Sequence, residues 1–247
     1  MLAKLTTKIA LRKAGIPSSG LAMPDVSALT GSGGRDGTGG ALSTFANPFA
    51  NLQVPVALKS WQNPMPPPVE VAPPPLIDTR APTCPKLALP VANGTRRPCI
   101  VVFLRHCGCP FAEETFLNMR GLANKYPKVI FYAISHCTKE ATDKWIYALG
   151  GAWAVQVIID EEREVYAQWG LGVSTTYHLL NPWTQMAARK LGTEKGIWGR
   201  EVDPSGNRWV VGGAWSTNEL GTIKWGQPSS TADDIPKLEE AVKSLGL

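Results

Sequence analysis

A continuous apolar run, Cys99-Ile-Val-Val-Phe-Leu104, leads directly into Arg105-His106-Cys107-Gly108-Cys109-Pro110, and helical periodicity begins there. That juncture constrains the chain more than any other. A short β-branched and aromatic run suits a strand buried on both faces. Proline suits the first position of a helix, where its missing N–H costs nothing. The two cysteines therefore sit where a buried strand hands over to a helix N-terminus. Free N–H groups and the positive end of the helix dipole favour thiolate over thiol there, and thiolate is the nucleophile. Arg105 and His106 add positive potential, whereas Glu113 and Glu114 in the first turn oppose it. Buried cysteines that merely fill a core are the alternative.

The pattern continues in the same style. Ala112, Phe116, Met119 and Ala123 recur at helical spacing, and Val129–Ile134 is a second apolar run. Strand, helix and strand within about 35 residues form a βαβ unit with a right-handed crossover. Thr138 caps a second helix carrying Ala141, Trp145 and Leu149, stopped by Gly150-Gly151. Val155–Ile159 is a third strand, and a short helix runs through Val165 and Trp169 to Gly170. Residues 171–207 read as an insertion, with one helix opened by Asn181-Pro182. Trp209–Trp215 and Thr222–Trp225 flank the turn Asn218-Glu-Leu-Gly221 as a hairpin, and a last helix bears Ile235, Leu238, Val242 and Leu245. The order is β-α-β-α, an insertion, then β-β-α. This is the thioredoxin arrangement: an α/β three-layer sandwich on a central mixed sheet.

Ahead of that domain the composition changes. Residues 1–46 read as a disordered or targeting segment. Lys4, Lys8, Arg12 and Lys13 precede any acid, as in a mitochondrial transit peptide or a basic tail. Residues 27–46 are rich in Gly, Ser and Thr. Thirteen of the 21 prolines fall between Pro48 and Pro98, so residues 47–80 read as a proline-rich linker or extended arm. Residues 81–247 carry the folded domain. A net charge of +5 without a basic run or aromatic-basic stripe argues against nucleic acid. No apolar run approaches a membrane span, and no secretory signal is visible. Five cysteines in that context point to a reducing compartment, cytoplasmic or mitochondrial, with thiols used for chemistry rather than as bridges.

The segment Val101-Val-Phe-Leu-Arg-His-Cys-Gly-Cys-Pro-Phe-Ala-Glu113 resembles the strand-to-active-site motif of peroxiredoxin-like proteins of the AhpC/TSA antioxidant-enzyme type, closest to a form found in fungi. Leu87-Ala-Leu-Pro90, Phe131–Ser135, Val157–Asp160, Gly212–Trp215 and Gly221–Trp225 extend the likeness over residues 81–247. The resemblance places Cys109 as the reactive cysteine. It implies reduction of a small peroxide or disulfide, an external thiol reductant such as glutathione or thioredoxin, and no cofactor. The chain departs from the pattern at Ala112, where relatives often carry a second cysteine. It also has Val102 and His106 where typical peroxiredoxins have proline and threonine.

Cys107 and Cys137 are then the candidate resolving thiols, because Cys137 closes the strand expected beside 100–104 and both strand ends share one sheet edge. The expected persistent disulfide joins Cys137 to Cys109, since a Cys-x-Cys ring is strained. Arg105 is the candidate thiolate partner. Three cysteines with His106 and His136 also fit tetrahedral zinc, but no Cys-x-x-Cys pair is present and no metal is assigned. Cys84 and Cys99 read as packing residues. A homo-oligomer stays open. The competing reading is a catalytically weak binding module that uses the proline-rich arm and the 171–207 insertion as partner surfaces.

Overall fold

Pairing in the sheet follows from two kinds of connection. Helical crossovers join the first three strands in parallel, and a tight turn joins the last two antiparallel. The computed structural model describes residues 64–91, 96–175, 178, 182–200 and 202–247. The targeting or disordered segment 1–46, the start of the proline-rich stretch and the Asn181 cap lie outside these residues. Strands β1 (Cys99–Phe103), β2 (Ile130–Ser135), β3 (Gln156–Ile159), β4 (Gly213–Thr217) and β5 (Ile223–Pro228) lie in the order β3-β2-β1-β4-β5. Helices α1 (Pro110–Lys125), α2 (Lys139–Ala148), α3 (Glu164–Gln168), α4 (Pro182–Lys195) and α5 (Leu238–Lys243) complete the described elements. β1 pairs parallel with β2 and antiparallel with β4. This mixed sheet with β1 at its centre is a thioredoxin-like α/β fold.

β1 is buried along its whole length because each face has its own core. Ile100, Val102 and Leu104 face Phe116, Met119, Trp145 and Leu238, which come from α1, α2 and α5. Val101 and Phe103 face Leu87, Leu89, Tyr166, Trp169 and Trp215 on the other side. Phe103 stands 5.1 Å from Tyr166, 5.4 Å from Trp169 and 5.7 Å from Trp215, ring centre to ring centre. Such pairs add about 0.5–1.5 kcal/mol each beyond their buried area. Tyr166 also donates its hydroxyl to the carbonyls of Leu104 (2.6 Å) and Ile134 (2.8 Å). One buried phenol thus ties together the C-terminal ends of β1 and β2, the edge from which the cysteines project.

The proline-rich stretch is laid against the domain from Pro64 onward. Backbone bonds join Ala72 N–H to the Ala167 carbonyl (3.0 Å) and Asp78 N–H to that of Ile223 (2.9 Å). Arg163 donates to the Pro67 carbonyl and Asn207 to that of Pro64. Gly170 permits this approach: it has φ +76°, and a Cβ there would lie 2.6 Å from Pro74.

Two boundaries differ from the sequence expectation. β4 starts at Gly213 rather than Trp209, because Val210 is already paired with Val173 in an isolated bridge. The last helix starts at Leu238, because Asp233 and Asp234 are taken by Thr184 and by Ser230.

Candidate active site

The loop leaving β1 separates its two cysteines by a sharp turn. Cys109 N–H donates to the His106 carbonyl (3.1 Å), and Gly108 takes φ +96°. Only glycine adopts that conformation freely. The turn sends Cys107 and Cys109 to different partners, although a single residue lies between them.

Cys109 is the N-cap of α1, with Pro110 after it, and its carbonyl accepts the Glu113 N–H (3.0 Å). Arg105 donates from Nη1 to Cys109 Sγ (3.2 Å) and from Nη2 to the Arg208 carbonyl (2.8 Å). The second bond fixes the guanidinium so that the first falls on the sulfur. Among the described residues, Arg105 Nε is buried without a partner. A hollow of about 20 Å³, water-sized, adjoins Arg105 and is lined also by Phe111, Thr115, Gly212 and Ser229. Arg208 is a second nearby cation. Burial and the Arg105 charge push its guanidinium down to about 10, and Cys109 acts in the opposite sense.

The two acids at the start of α1 do not act bare on Cys109. Arg200 grips Glu113 with two bonds, Nε–Oε2 at 2.7 Å and Nη2–Oε1 at 2.9 Å, and Lys195 pairs with Glu114. Their charges are largely cancelled, and the helix terminus keeps its positive potential.

Cys107 turns the other way. Its N–H donates to Cys137 Sγ (3.4 Å), and its sulfur lies 3.8 Å from the hydroxyls of both Ser135 and Thr142. Interaction with the neighbouring Cys137 thiol lowers Cys107 below the ordinary thiol range, helped by the two hydroxyls, and the same interaction raises Cys137, which burial raises further. Cys137 Sγ thus meets the backbone N–H of Cys107, whereas the sequence reading expected Cys137 to pair with Cys109 on oxidation. The reason is the Gly108 turn, which points Cys109 at Arg105 and leaves Cys107 over the end of β2. All five cysteines are free thiols. Burial raises Cys99 to about 11.

The residues after α4 form a strap across this edge. Arg200 N–H donates to the Gly108 carbonyl (3.0 Å), Thr138 N–H to Ser205 Oγ (3.2 Å) and Asn207 N–H to His136 Nε2 (3.1 Å). Under it Cys109 is 2 % exposed, Cys107 5 % and Cys137 0 %. Burial, with nearby arginine charge, pushes His136 down to about 3 and His106 well below its usual range, so both rings are neutral. His178 meets the Ser230 carbonyl through Nδ1 (3.2 Å), and burial with the Arg105 charge lowers it below its usual range. Among the described residues no group of three or more His, Cys, Asp or Glu side chains is set to hold a metal ion, and no helix is long and apolar enough to cross a membrane.

Ser135, Thr142, Arg200 and Arg208 escaped the sequence reading. Ser135 and Thr142 were legible only as the end of a strand and the first turn of a capped helix. Arg200 lies inside the 171–207 insertion and Arg208 directly after it, where periodicity gives no guide.

A family described as AhpC/TSA antioxidant enzyme matches residues 123–228, a span that includes Cys137 but begins after Cys109. No curated protein matches the chain significantly. Among solved structures it is similar to a peroxiredoxin-like protein from Aquifex aeolicus, at 14% identity and TM-score 0.48, over 74% of this chain and 97% of that one. It is also similar to a thiol peroxidase from Chromobacterium violaceum, at 12% identity and TM-score 0.45, over 71% and 89% of the two chains. A peroxidoxin from Mycobacterium tuberculosis is similar at 15% identity and TM-score 0.40, over 60% and 78%.

Proposed function

We propose that the protein is a thiol-dependent oxidoreductase that reduces small peroxides through Cys109. The observation that carries this reading is the Arg105 guanidinium bonded to a cysteine sulfur at a helix N-terminus. A cation and a helix dipole at one sulfur both stabilise thiolate. The thiolate attacks the terminal oxygen of a hydroperoxide. The O–O bond breaks, the leaving alkoxide takes a proton to become an alcohol, and Cys109 becomes a sulfenic acid. The Arg105 guanidinium, fixed beside the sulfur, is placed to stabilise charge on the leaving group. A thiol such as glutathione or thioredoxin is the source of the electrons that return Cys109 to its reduced form. Disulfides are a second substrate class for the same nucleophile.

The family match over residues 123–228 supports an antioxidant role in general terms. The likeness to a fungal form, and a cytoplasmic or mitochondrial location, belong to the same proposal. A catalytically weak binding module remains the second reading, favoured by the near-complete burial of Cys109 under the strap. Peroxide consumption driven by an excess of reduced glutathione or reduced thioredoxin tests between them. The oxidoreductase reading expects turnover that Cys109→Ser abolishes. Equal, background-level consumption by both proteins would support the binding module.

A further inference from the structure

The edge of the sheet holds two sulfur centres with different surroundings. Cys109 faces Arg105, at 3.2 Å. Cys137 Sγ accepts the Cys107 N–H at 3.4 Å, and the hydroxyls of Ser135 and Thr142 lie 3.8 Å from Cys107 Sγ. Those hydroxyls bond to each other at 2.8 Å, and Ser135 Oγ also accepts the Cys137 N–H at 3.3 Å. This is a closed polar nest around two thiols in an otherwise apolar core. Packing alone gives no reason for it, since small apolar side chains would fill the space without buried hydroxyls to satisfy.

We infer that Cys107 and Cys137 form a second redox site, an internal dithiol–disulfide couple that takes over the oxidation first received by Cys109. The transfer to this couple rests on the peroxide-reducing reading of Cys109; the couple itself does not. In the first step the Cys107 thiolate attacks the sulfur of the Cys109 sulfenic acid. The S–O bond breaks, an S–S bond forms, and hydroxide leaves as water with the proton that Cys107 released on becoming the thiolate. In the second step Cys137 loses its proton and attacks the disulfide. Its sulfur lies 3.4 Å from the backbone nitrogen of Cys107, so the attack falls on the Cys107 sulfur and Cys109 is expelled. Arg105, 3.2 Å from Cys109 Sγ, faces the departing sulfur with a fixed cation. The Cys107–Cys109 bond breaks, the Cys107–Cys137 bond forms, and Cys109 takes up the proton released by Cys137. The balance is one sulfenic acid reduced to a thiol, two thiols oxidised to a disulfide, and one water.

This order also removes the difficulty of the Cys-Gly-Cys ring. A strained disulfide is easily broken, which suits an intermediate rather than a resting state. The polar environment of the couple favours a thiolate on Cys107, consistent with its lowered position relative to Cys137.

The test is peptide mapping under non-reducing conditions on the full chain, with free thiols blocked by N-ethylmaleimide at acid quench. One sample receives limiting hydrogen peroxide and a second is equilibrated with oxidised glutathione. The expected product in both is a crosslink between Cys107 and Cys137, with Cys109 recovered as the blocked thiol. In Cys109→Ser the crosslink is lost with peroxide but still forms with oxidised glutathione. A Cys109–Cys137 crosslink, or glutathione on Cys109 with Cys107 and Cys137 both blocked as free thiols under both oxidants, would overturn the couple. If Cys109→Ser forms the crosslink with peroxide as fast as the unsubstituted protein, the couple stands. Transfer from Cys109, and the peroxide-reducing role of Cys109, then fall.

Discussion

Arg105 Nη1 lies 3.2 Å from Cys109 Sγ, and the same guanidinium is anchored 2.8 Å away on the Arg208 carbonyl. The cation is therefore held on the sulfur by the chain that crosses the site, rather than by chance rotamer choice. A hydrogen bond from a charged donor contributes about 1.5–3 kcal/mol. Arg105→Gln should slow alkylation of Cys109 by iodoacetamide at neutral pH by about 10- to 100-fold. Arg105→Lys should recover part of the rate, because a point charge lacks the fork that reaches sulfur and carbonyl together. Equal rates in all three proteins would show that the arginine leaves the thiol unaffected.

The Arg200–Glu113 pair makes an opposite-signed prediction. Arg200→Ala frees a carboxylate in the first turn of the helix that Cys109 caps. An unpaired anion there disfavours thiolate, so alkylation of Cys109 should slow several-fold. Adding Glu113→Gln should restore the rate. If the double variant stays as slow as the single one, Arg200 acts by holding the strap rather than by cancelling charge.

Tyr166→Phe removes the hydroxyl that bridges the Leu104 and Ile134 carbonyls. The Ile134 carbonyl keeps the Leu104 N–H at 3.0 Å. The Leu104 carbonyl loses its donor in a buried position, at a cost of about 1–3 kcal/mol. Urea unfolding at constant slope should report that loss. A change under about 0.5 kcal/mol would place the variant among neutral surface-type substitutions and contradict the tie.

The buried histidines set the acid limit. His136 is held down to about 3, chiefly by burial, and titrates near 6.5 once unfolded. The unfolded chain therefore binds more protons than the folded one between those values. Stability is complete above about pH 6.5 and falls toward pH 3, by up to about 1.4 kcal/mol per pH unit for each such group. His106 is shifted in the same direction and adds to the slope. His136→Gln should flatten the decline between pH 7 and 5 by one proton's worth. Unfolding free energies that do not change over that interval would contradict the neutral assignment.

Much of the architecture is readable from the chain because local and long-range signals agree in the central elements. Cys99–Leu104 is apolar on both faces because two cores flank β1, and the run says so without alternation. The Cys109-Pro110 junction marks the start of α1 for reasons intrinsic to proline. The approach of the Cys107 backbone to Cys137 Sγ was not legible in the same way. It depends on the positive φ of Gly108, which a sequence permits but does not compel. The strap was equally hidden. Arg200 and Arg208 reach the site through single backbone bonds and side chains, and such contacts leave no periodicity. The Pro64–Ala81 stretch carries no apolar pattern either. Its place on the domain rests on carbonyls bonded by Arg163 and Asn207, and on the space that Gly170 leaves for Pro74.

The most direct measurement is the site of first oxidation. Cys107→Ser blocks onward transfer and should let a sulfenic acid persist. Treating that variant with limiting hydrogen peroxide in the presence of dimedone, followed by peptide mass spectrometry, reads which sulfur reacted. The account predicts a dimedone adduct on Cys109 in near-stoichiometric yield, strongly reduced when Arg105→Gln is added. An adduct on Cys84 or Cys137, with Cys109 recovered unmodified, would contradict it.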